Sequence, residues 1–176
     1  MLQFAAAKEV ITPAKPVYMA GFAAREHQST GVHDDLYAKV VLLRGNTTLL
    51  IIALDALGGD RSFVSGMKRS LMEKFGLQEA EILINFTHTH ASVYLTGEDP
   101  ALRRGRYSMA LKTSYPAEHD LELDYTEDVA YFQYLKQVLI RLVSRCFGSL
   151  REGSLQYGSG ETGISISRRL VTEEGV

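Results

Sequence analysis

Apolar residues cluster in four short runs along the first half of the chain, and each run is typical of a β-strand. The runs cover residues 4–11, 36–43, 49–54 and 81–86. Thr12-Pro13 ends the first run, because proline has no N–H to donate to a neighbouring strand. The run at 49–54 is apolar at every position, which predicts a strand buried on both faces in the middle of a layered sheet.

A helix is predicted at residues 61–75, between the third and fourth strands. Its apolar positions recur every four residues, at Phe63, Met67, Leu71 and Phe75. Asp60 or Ser62 can cap this helix, and Gly76 is a suitable C-terminal stop. The helix and the strands on either side of it form a strand–helix–strand unit.

A second helix is predicted at residues 126–147, where an apolar stripe runs from Phe132 to Cys146 and Gly148 follows. Two more strands are predicted, at 154–158 and near 163–167. The order of elements indicates an α/β fold, with a mixed β-sheet layered with helices.

Residues 91–124 form a polar, irregular segment of 34 residues between the fourth strand and the second helix. Loops longer than roughly 15 residues in compact domains tend to be lids, binding loops or mobile insertions. Both a lid over a pocket and a mobile insertion fit this segment, and the sequence favours neither.

Composition narrows the range of functions only modestly. A chain of 176 residues with net charge −2 fits one domain and favours neither nucleic acid nor an anionic membrane surface as a partner. The N-terminus lacks a signal-peptide pattern and no apolar run reaches the roughly 20 residues of a membrane span, so the cytoplasm is the default location. The single cysteine, Cys146, follows the helical stripe and is interpreted as a buried thiol rather than a nucleophile.

Candidate chemistry concentrates in Thr87-His88-Thr89-His90, directly after the fourth strand. In an extended segment His88 and His90 share a face, so both imidazoles can point into one pocket and suit a divalent metal such as zinc. Sites in layered α/β proteins gather beyond the carboxyl ends of strands, and Asp55 ends the third strand in the matching place. A carboxylate there can orient a metal-binding histidine as a supporting partner, and an Asp at the end of a strand is also often only a cap or turn former.

The spacing alone is a weak signal, and known patterns narrow it only by elimination. No Asp-His follows His90, which argues against a β-lactamase-type metal site, and the chain contains no His-Glu-x-x-His helix. His33, beside Asp34 and Asp35, fits a solvated turn better than a substrate contact. Gly158-Ser159-Gly160 lacks the following lysine of a phosphate-binding loop.

Taken together, a series of segments along almost the whole chain resembles the N-terminal part of the neutral/alkaline non-lysosomal ceramidase family. The matching segments occur in the family's order: Val10-Ile11-Thr12-Pro13, Met19-Ala20-Gly21-Phe22 with Arg25, Gly31-Val32-His33-Asp34-Asp35-Leu36-Tyr37-Ala38-Lys39, Ile51-Ile52-Ala53-Leu54-Asp55, Thr87-His88-Thr89-His90, Tyr157-Gly158-Ser159-Gly160-Glu161 and Ser167-Arg168-Arg169.

The resemblance implies a zinc-dependent hydrolase of amide bonds. In that family the first histidine of the pair is a zinc ligand, which corresponds to His88, and the second lies beside the zinc and helps to hold the substrate, which corresponds to His90. An arginine that lines the same pocket corresponds to Arg168, or to Arg169 if the register differs by one residue. The implied substrate is a small-molecule or lipid-like N-acyl amide.

The chain departs from the family at two places. Ala91-Ser92-Val93-Tyr94 and the polar segment replace the Ser-Gly and further glycines that follow the histidine pair in ceramide-cleaving members, so ceramide itself is not implied. The family's other zinc ligands, a histidine, a glutamate and a tyrosine, lie further along than Val176. We therefore expect residues 1–176 to be a single domain or an N-terminal fragment of a larger catalytic domain, inactive alone.

Two alternatives remain open from the sequence. The histidine pair is also compatible with a metallohydrolase of an ester or phosphoester substrate. A binding domain that kept the fold without catalysis is the other alternative. The oligomeric state is not indicated.

Overall fold

The computed structural model describes residues 1–22, 25, 27–95 and 126–164. In chain order its strands are β1 (Gln3–Val10), β2 (Tyr37–Arg44), β3 (Thr48–Leu54), β4 (Gly58–Gly59), β5 (Ile82–Phe86), β6 (Tyr94–Leu95) and β7 (Arg151–Glu152). The helices are α1 (Arg61–Phe75) and α2 (Thr126–Gly148), and a 3-10 turn at Glu79–Glu81 precedes β5.

Five of these strands form one mixed sheet in the order β5-β3-β2-β1-β7. The β1–β2, β2–β3 and β1–β7 pairs are antiparallel, whereas β3 and β5 are parallel and are joined through α1. β4 and β6 make a separate parallel pair. The predicted α/β fold with a mixed, helix-layered sheet is confirmed.

The hydrophobic core lies between one face of this sheet and the two helices. Alternate residues of β2 and β3 are almost fully buried: Ala38, Val40, Leu42, Leu50, Ile52 and Leu54. The predicted stripes of both helices face them, and Phe63 of α1 meets Phe132 of α2 edge to face at 5.6 Å between ring centroids. Cys146 is fully buried in the same core, where burial raises the pKa of its thiol, which agrees with the structural interpretation.

Helix α1 begins and ends at the predicted residues because both termini are capped. The Asp60 side chain accepts a hydrogen bond from the Phe63 backbone N–H at 2.8 Å. Gly76 adopts the left-handed conformation, and its N–H donates to the Met72 carbonyl. These caps fix the point at which the chain turns back towards β5.

The second face of β3 differs from the prediction of burial on both sides. Ile51 and Ala53 are only half-buried and Leu49 is 38% exposed. The buried residues of both helices belong to the core on the opposite face, so in the described part of the chain only one face of β3 is fully covered. The run of apolar residues therefore overstates the burial of this strand.

The predicted strand at 154–158 is wrong. Pairing with β1 involves only Arg151 and Glu152, and residues 153–164 form no strand. Leu155 and Tyr157 are 72% and 92% exposed, because no neighbouring strand of the described structure offers them a ladder. The strand predicted near 163–167 falls largely outside the described residues.

Two further sequence predictions concern the polar segment at 91–124 and the absence of a membrane-spanning segment. Of the polar segment at 91–124, only residues 91–95 are described, and they lead into β6. Within the described ranges, neither helix is both long and apolar enough to cross a membrane.

Replacement of Ile52 by alanine is expected to destabilise the fold far more than replacement of its neighbour Ile51. Ile52 is fully buried beneath the helices, so its truncation should lower the free energy of unfolding by about 2–5 kcal/mol. Ile51 lies on the half-covered face, and we expect at most about half of that loss. Urea unfolding of the two variants measures the difference, and equal losses would show that both faces are covered alike.

Candidate functional site

The histidine pair lies at the edge of the sheet where the parallel strands β3 and β5 both end. Leu54 and Phe86 are the last partners in their register. The pairing continues beyond the strands, since the Thr87 N–H donates to the Leu54 carbonyl at 3.0 Å and the His88 N–H donates to the Ala56 carbonyl at 3.1 Å. This position agrees with the sequence prediction of a site at the carboxyl ends of the strands.

His88 is held in an unusual backbone conformation and in one ring orientation. Its φ is 60°, the only positive φ at a non-glycine residue in the described part of the chain. Its Nδ1 lies 2.8 Å from the Leu57 carbonyl oxygen. Because a carbonyl can only accept, Nδ1 must carry the proton, and in the neutral ring Nε2 then keeps its lone pair. Metal-binding histidines commonly have this arrangement, with one ring nitrogen donating to a fixed acceptor.

His90 lies beside His88 and is packed between glycine backbone and an aromatic ring. The two imidazole centroids are 5.1 Å apart with an interplanar angle of 76°. Gly21 lies so close that a Cβ there would stand 2.6 Å from Cγ of His90, and its φ is +103°. Phe22 contacts the same imidazole edge to face at 5.2 Å. Only glycine therefore permits this approach of the loop to His90.

Ser92 ties these pieces together, a role that the sequence did not reveal. Its side chain is buried and donates to the Asp55 carbonyl at 3.0 Å, while its own carbonyl accepts from the Ala20 N–H at 2.8 Å. Ser92 thereby links the end of β3, the segment after His90 and the Gly21 loop. No periodicity or motif marks such a residue in advance.

Asp55 has different partners from those expected. Its carboxylate accepts from the Tyr37 backbone N–H at 2.9 Å and lies 3.5 Å from Nζ of Lys39. It therefore fixes the start of β2, whereas the Leu57 carbonyl orients His88. The predicted supporting role towards the histidine is filled here by a backbone group.

Arg25 reaches the site, although the sequence singled it out only as part of a motif. One terminal nitrogen, Nη1, lies 3.4 Å from both the Ala20 carbonyl and the His90 carbonyl. Its guanidinium carbon is 5.2 Å from the centroid of the Phe22 ring. Arg25 thus brings a positive charge beside the cluster of His90, Gly21 and Phe22.

Arg168, Arg169 and His33 are the other residues that the sequence singled out. Arg168 and Arg169 lie outside the described residues and stay predictions. The side chain of His33 is 97% exposed and pairs with Asp34 at 2.6 Å, which agrees with a solvated turn. Within the described ranges no three His, Cys, Asp or Glu side chains are grouped closely enough to hold a metal ion. Chemically, the arrangement offers two exposed imidazoles, one of fixed tautomer, beside a guanidinium.

Comparison with known proteins gives a likeness of fold. The chain matches no family model and no curated protein in sequence. Its structure is similar to the crystal structure of neutral ceramidase from Pseudomonas aeruginosa and to the structure of a ceramidase complexed with C2. In each case the TM-score is 0.63 and the identity 17%, over 85% of this chain and 22% of the solved chain. The resemblance seen in the sequence is confirmed at the level of fold, and the chain spans about a fifth of the length of those proteins.

Alanine at position 21 is expected to disturb the site, whereas alanine at position 31 is not. Gly21→Ala forces a Cβ against His90 at a strained φ, which should lower the free energy of unfolding by about 1–3 kcal/mol. Gly31 has open space around its α-carbon, so the free energy of unfolding of Gly31→Ala should stay within about 1 kcal/mol of that of the parent protein. Chemical denaturation compares the two, and an unperturbed Gly21→Ala protein would contradict the close packing on His90.

Proposed function

We propose that this chain forms part of a zinc-dependent, ceramidase-like hydrolase that cleaves the amide bond of an N-acyl or lipid-like substrate. The observation that supports this most directly is the ring of His88, whose Nδ1 is bound to the Leu57 carbonyl while Nε2 is directed to no partner in the described structure. The fold similarity to two ceramidase structures supports the same class of reaction.

The residues present fit one ligand position of a zinc site. His88 supplies a neutral imidazole nitrogen of fixed tautomer, the donor type that zinc prefers. Further ligands have to come from outside the described ranges, because no cluster of three suitable side chains occurs within them. Zinc, when bound, supplies a Lewis acid for the substrate carbonyl and lowers the pKa of bound water to roughly 7.

His90 is proposed to contact the substrate rather than the metal. Its ring is packed against Gly21 and Phe22, so it stays in one orientation beside His88. A ring held in this way can donate a hydrogen bond to the carbonyl oxygen where negative charge develops. Arg168, or Arg169 in the alternative register, is proposed to assist at the same oxygen. The predicted cytoplasmic location belongs to the same proposal.

His88→Ala in the full-length protein is expected to remove most of the amidase activity. Loss of a group that merely orients a metal ligand costs about 10- to 100-fold, so loss of the ligand itself should lower kcat/KM by more than about 100-fold. His33→Ala is the matched control, since the side chain of His33 is exposed and pairs only with Asp34 in the described structure.

The assay should use N-acyl amides alongside simple esters of the same acyl chain. Retained amide turnover in His88→Ala would remove the argument for a metal ligand at this position. Ester turnover without amide turnover in the parent protein would favour the ester-cleaving alternative.

The 176-residue chain by itself is expected to bind zinc weakly or not at all. Structural and catalytic zinc sites need at least three protein ligands, and the described residues provide no such group. Dialysis against zinc-containing buffer followed by elemental analysis measures the zinc that remains bound. Tightly held zinc at one equivalent per monomer would show that the ligands are misassigned.

A further inference from the structure

We infer that Arg25 selects substrates carrying a carboxylate close to the scissile amide, so that N-acyl amino acids are the preferred class over neutral N-acyl amines. This inference rests on the proposed amide hydrolysis and specifies the substrate of the same site. In the reaction, water adds across the amide C–N bond and yields a fatty acid and a free amino acid.

The position of Arg25 ties its charge to the histidine pair. Its Nη1 contacts the carbonyl of His90 itself, and the adjacent Phe22 packs on both the guanidinium and the His90 ring. Arg25, Phe22 and His90 are therefore in direct contact with one another. A group bound to this guanidinium therefore lies next to the residue that carries the second imidazole.

Among the described residues, Arg25 uses little of its hydrogen-bonding capacity. Both carbonyl contacts involve Nη1 and are long, at 3.4 Å. Within the described part of the chain, Nη2 and Nε have no hydrogen-bond partner, and no carboxylate pairs with this side chain. By contrast, the guanidinium of Arg141 is paired with Glu9. A guanidinium with an open donor edge matches a carboxylate in bidentate geometry.

Partial burial strengthens the electrostatic attraction of this guanidinium for an anion. Arg25 is half-buried, and the Phe22 ring covers part of its guanidinium. Asp55, the carboxylate at the end of β3, is engaged by Tyr37 and Lys39. An anion that binds beside Arg25 therefore meets a positive charge that is screened less than a fully exposed one. A substrate with a neutral group on the amide nitrogen gains no such interaction.

The test compares two substrates of the full-length protein that differ only at this group, N-dodecanoylglycine and N-dodecanoylethanolamine. The parent protein should prefer the glycine conjugate. Arg25→Met keeps the contact with Phe22 but removes the charge, and it should reduce the glycine-to-ethanolamine ratio of kcat/KM by roughly 10-fold or more, mainly through KM. Arg25→Lys should recover part of the ratio, because it restores charge without the bidentate geometry.

Arg151→Met is the matched control. Arg151 also lies over a phenylalanine ring, at 4.7 Å from the centroid of Phe4, but Phe4 pairs with Leu43 at the opposite end of the sheet from the histidines. This variant should retain the parent ratio. Equal losses for both substrates in Arg25→Met would overturn the inference and make Arg25 a residue that only positions the loop.

A binding measurement separates this inference from the proposed function. Calorimetric titration of the same two compounds should show that Arg25→Met weakens binding of the glycine conjugate by roughly 10-fold or more and binding of the ethanolamine conjugate far less. If the parent protein hydrolyses neither compound but shows this difference, the amidase proposal fails and the carboxylate site stands. If it hydrolyses both and shows no difference, the carboxylate site fails alone.

Discussion

The parallel pairing of β3 with β5 is the constraint on which the site depends. Because the two strands run in the same direction, they release the chain at the same edge of the sheet, after Leu54 and Phe86. Two further backbone hydrogen bonds extend the pairing to His88. Helix α1 supports this pairing, because Phe63 packs on Phe86 with 6.2 Å between their ring centroids. Burial in the core thus determines where the first imidazole stands.

Backbone strain at His88 is the cost of this arrangement. The left-handed backbone conformation costs a residue that has a Cβ about 1–2 kcal/mol. Two hydrogen bonds, from its N–H to Ala56 and from its ring to Leu57, hold the residue there. The same conformation directs the ring towards the Leu57 carbonyl, so strain and tautomer have one structural origin. Strained residues that persist in this way concentrate at functional sites, which supports a role for His88 beyond packing.

Periodicity in the sequence predicted the elements well and the site only in part. The helix at 61–75 is evident because its apolar spacing, its N-cap and its final glycine all agree. The prediction of a strand at 154–158 was wrong because the alternation of apolar residues does not indicate whether a neighbouring strand exists. The partner of Asp55 could not be predicted, because a carboxylate at the end of a strand can accept from several backbone groups, and here it accepts from the N–H of Tyr37.

The contacts that the sequence could not reveal are made largely by backbone atoms of loops. Leu57 orients His88 through its carbonyl, and Gly21 packs on His90 through its bare α-carbon. Such contacts constrain the path of the chain and require few particular side chains. A fold can therefore keep the path while most residues change, which is consistent with a TM-score of 0.63 at 17% identity. Side chains beside the histidine pair, such as Arg25, are then free to differ between proteins of the same fold, and the substrate preference proposed above can change there without loss of the scaffold.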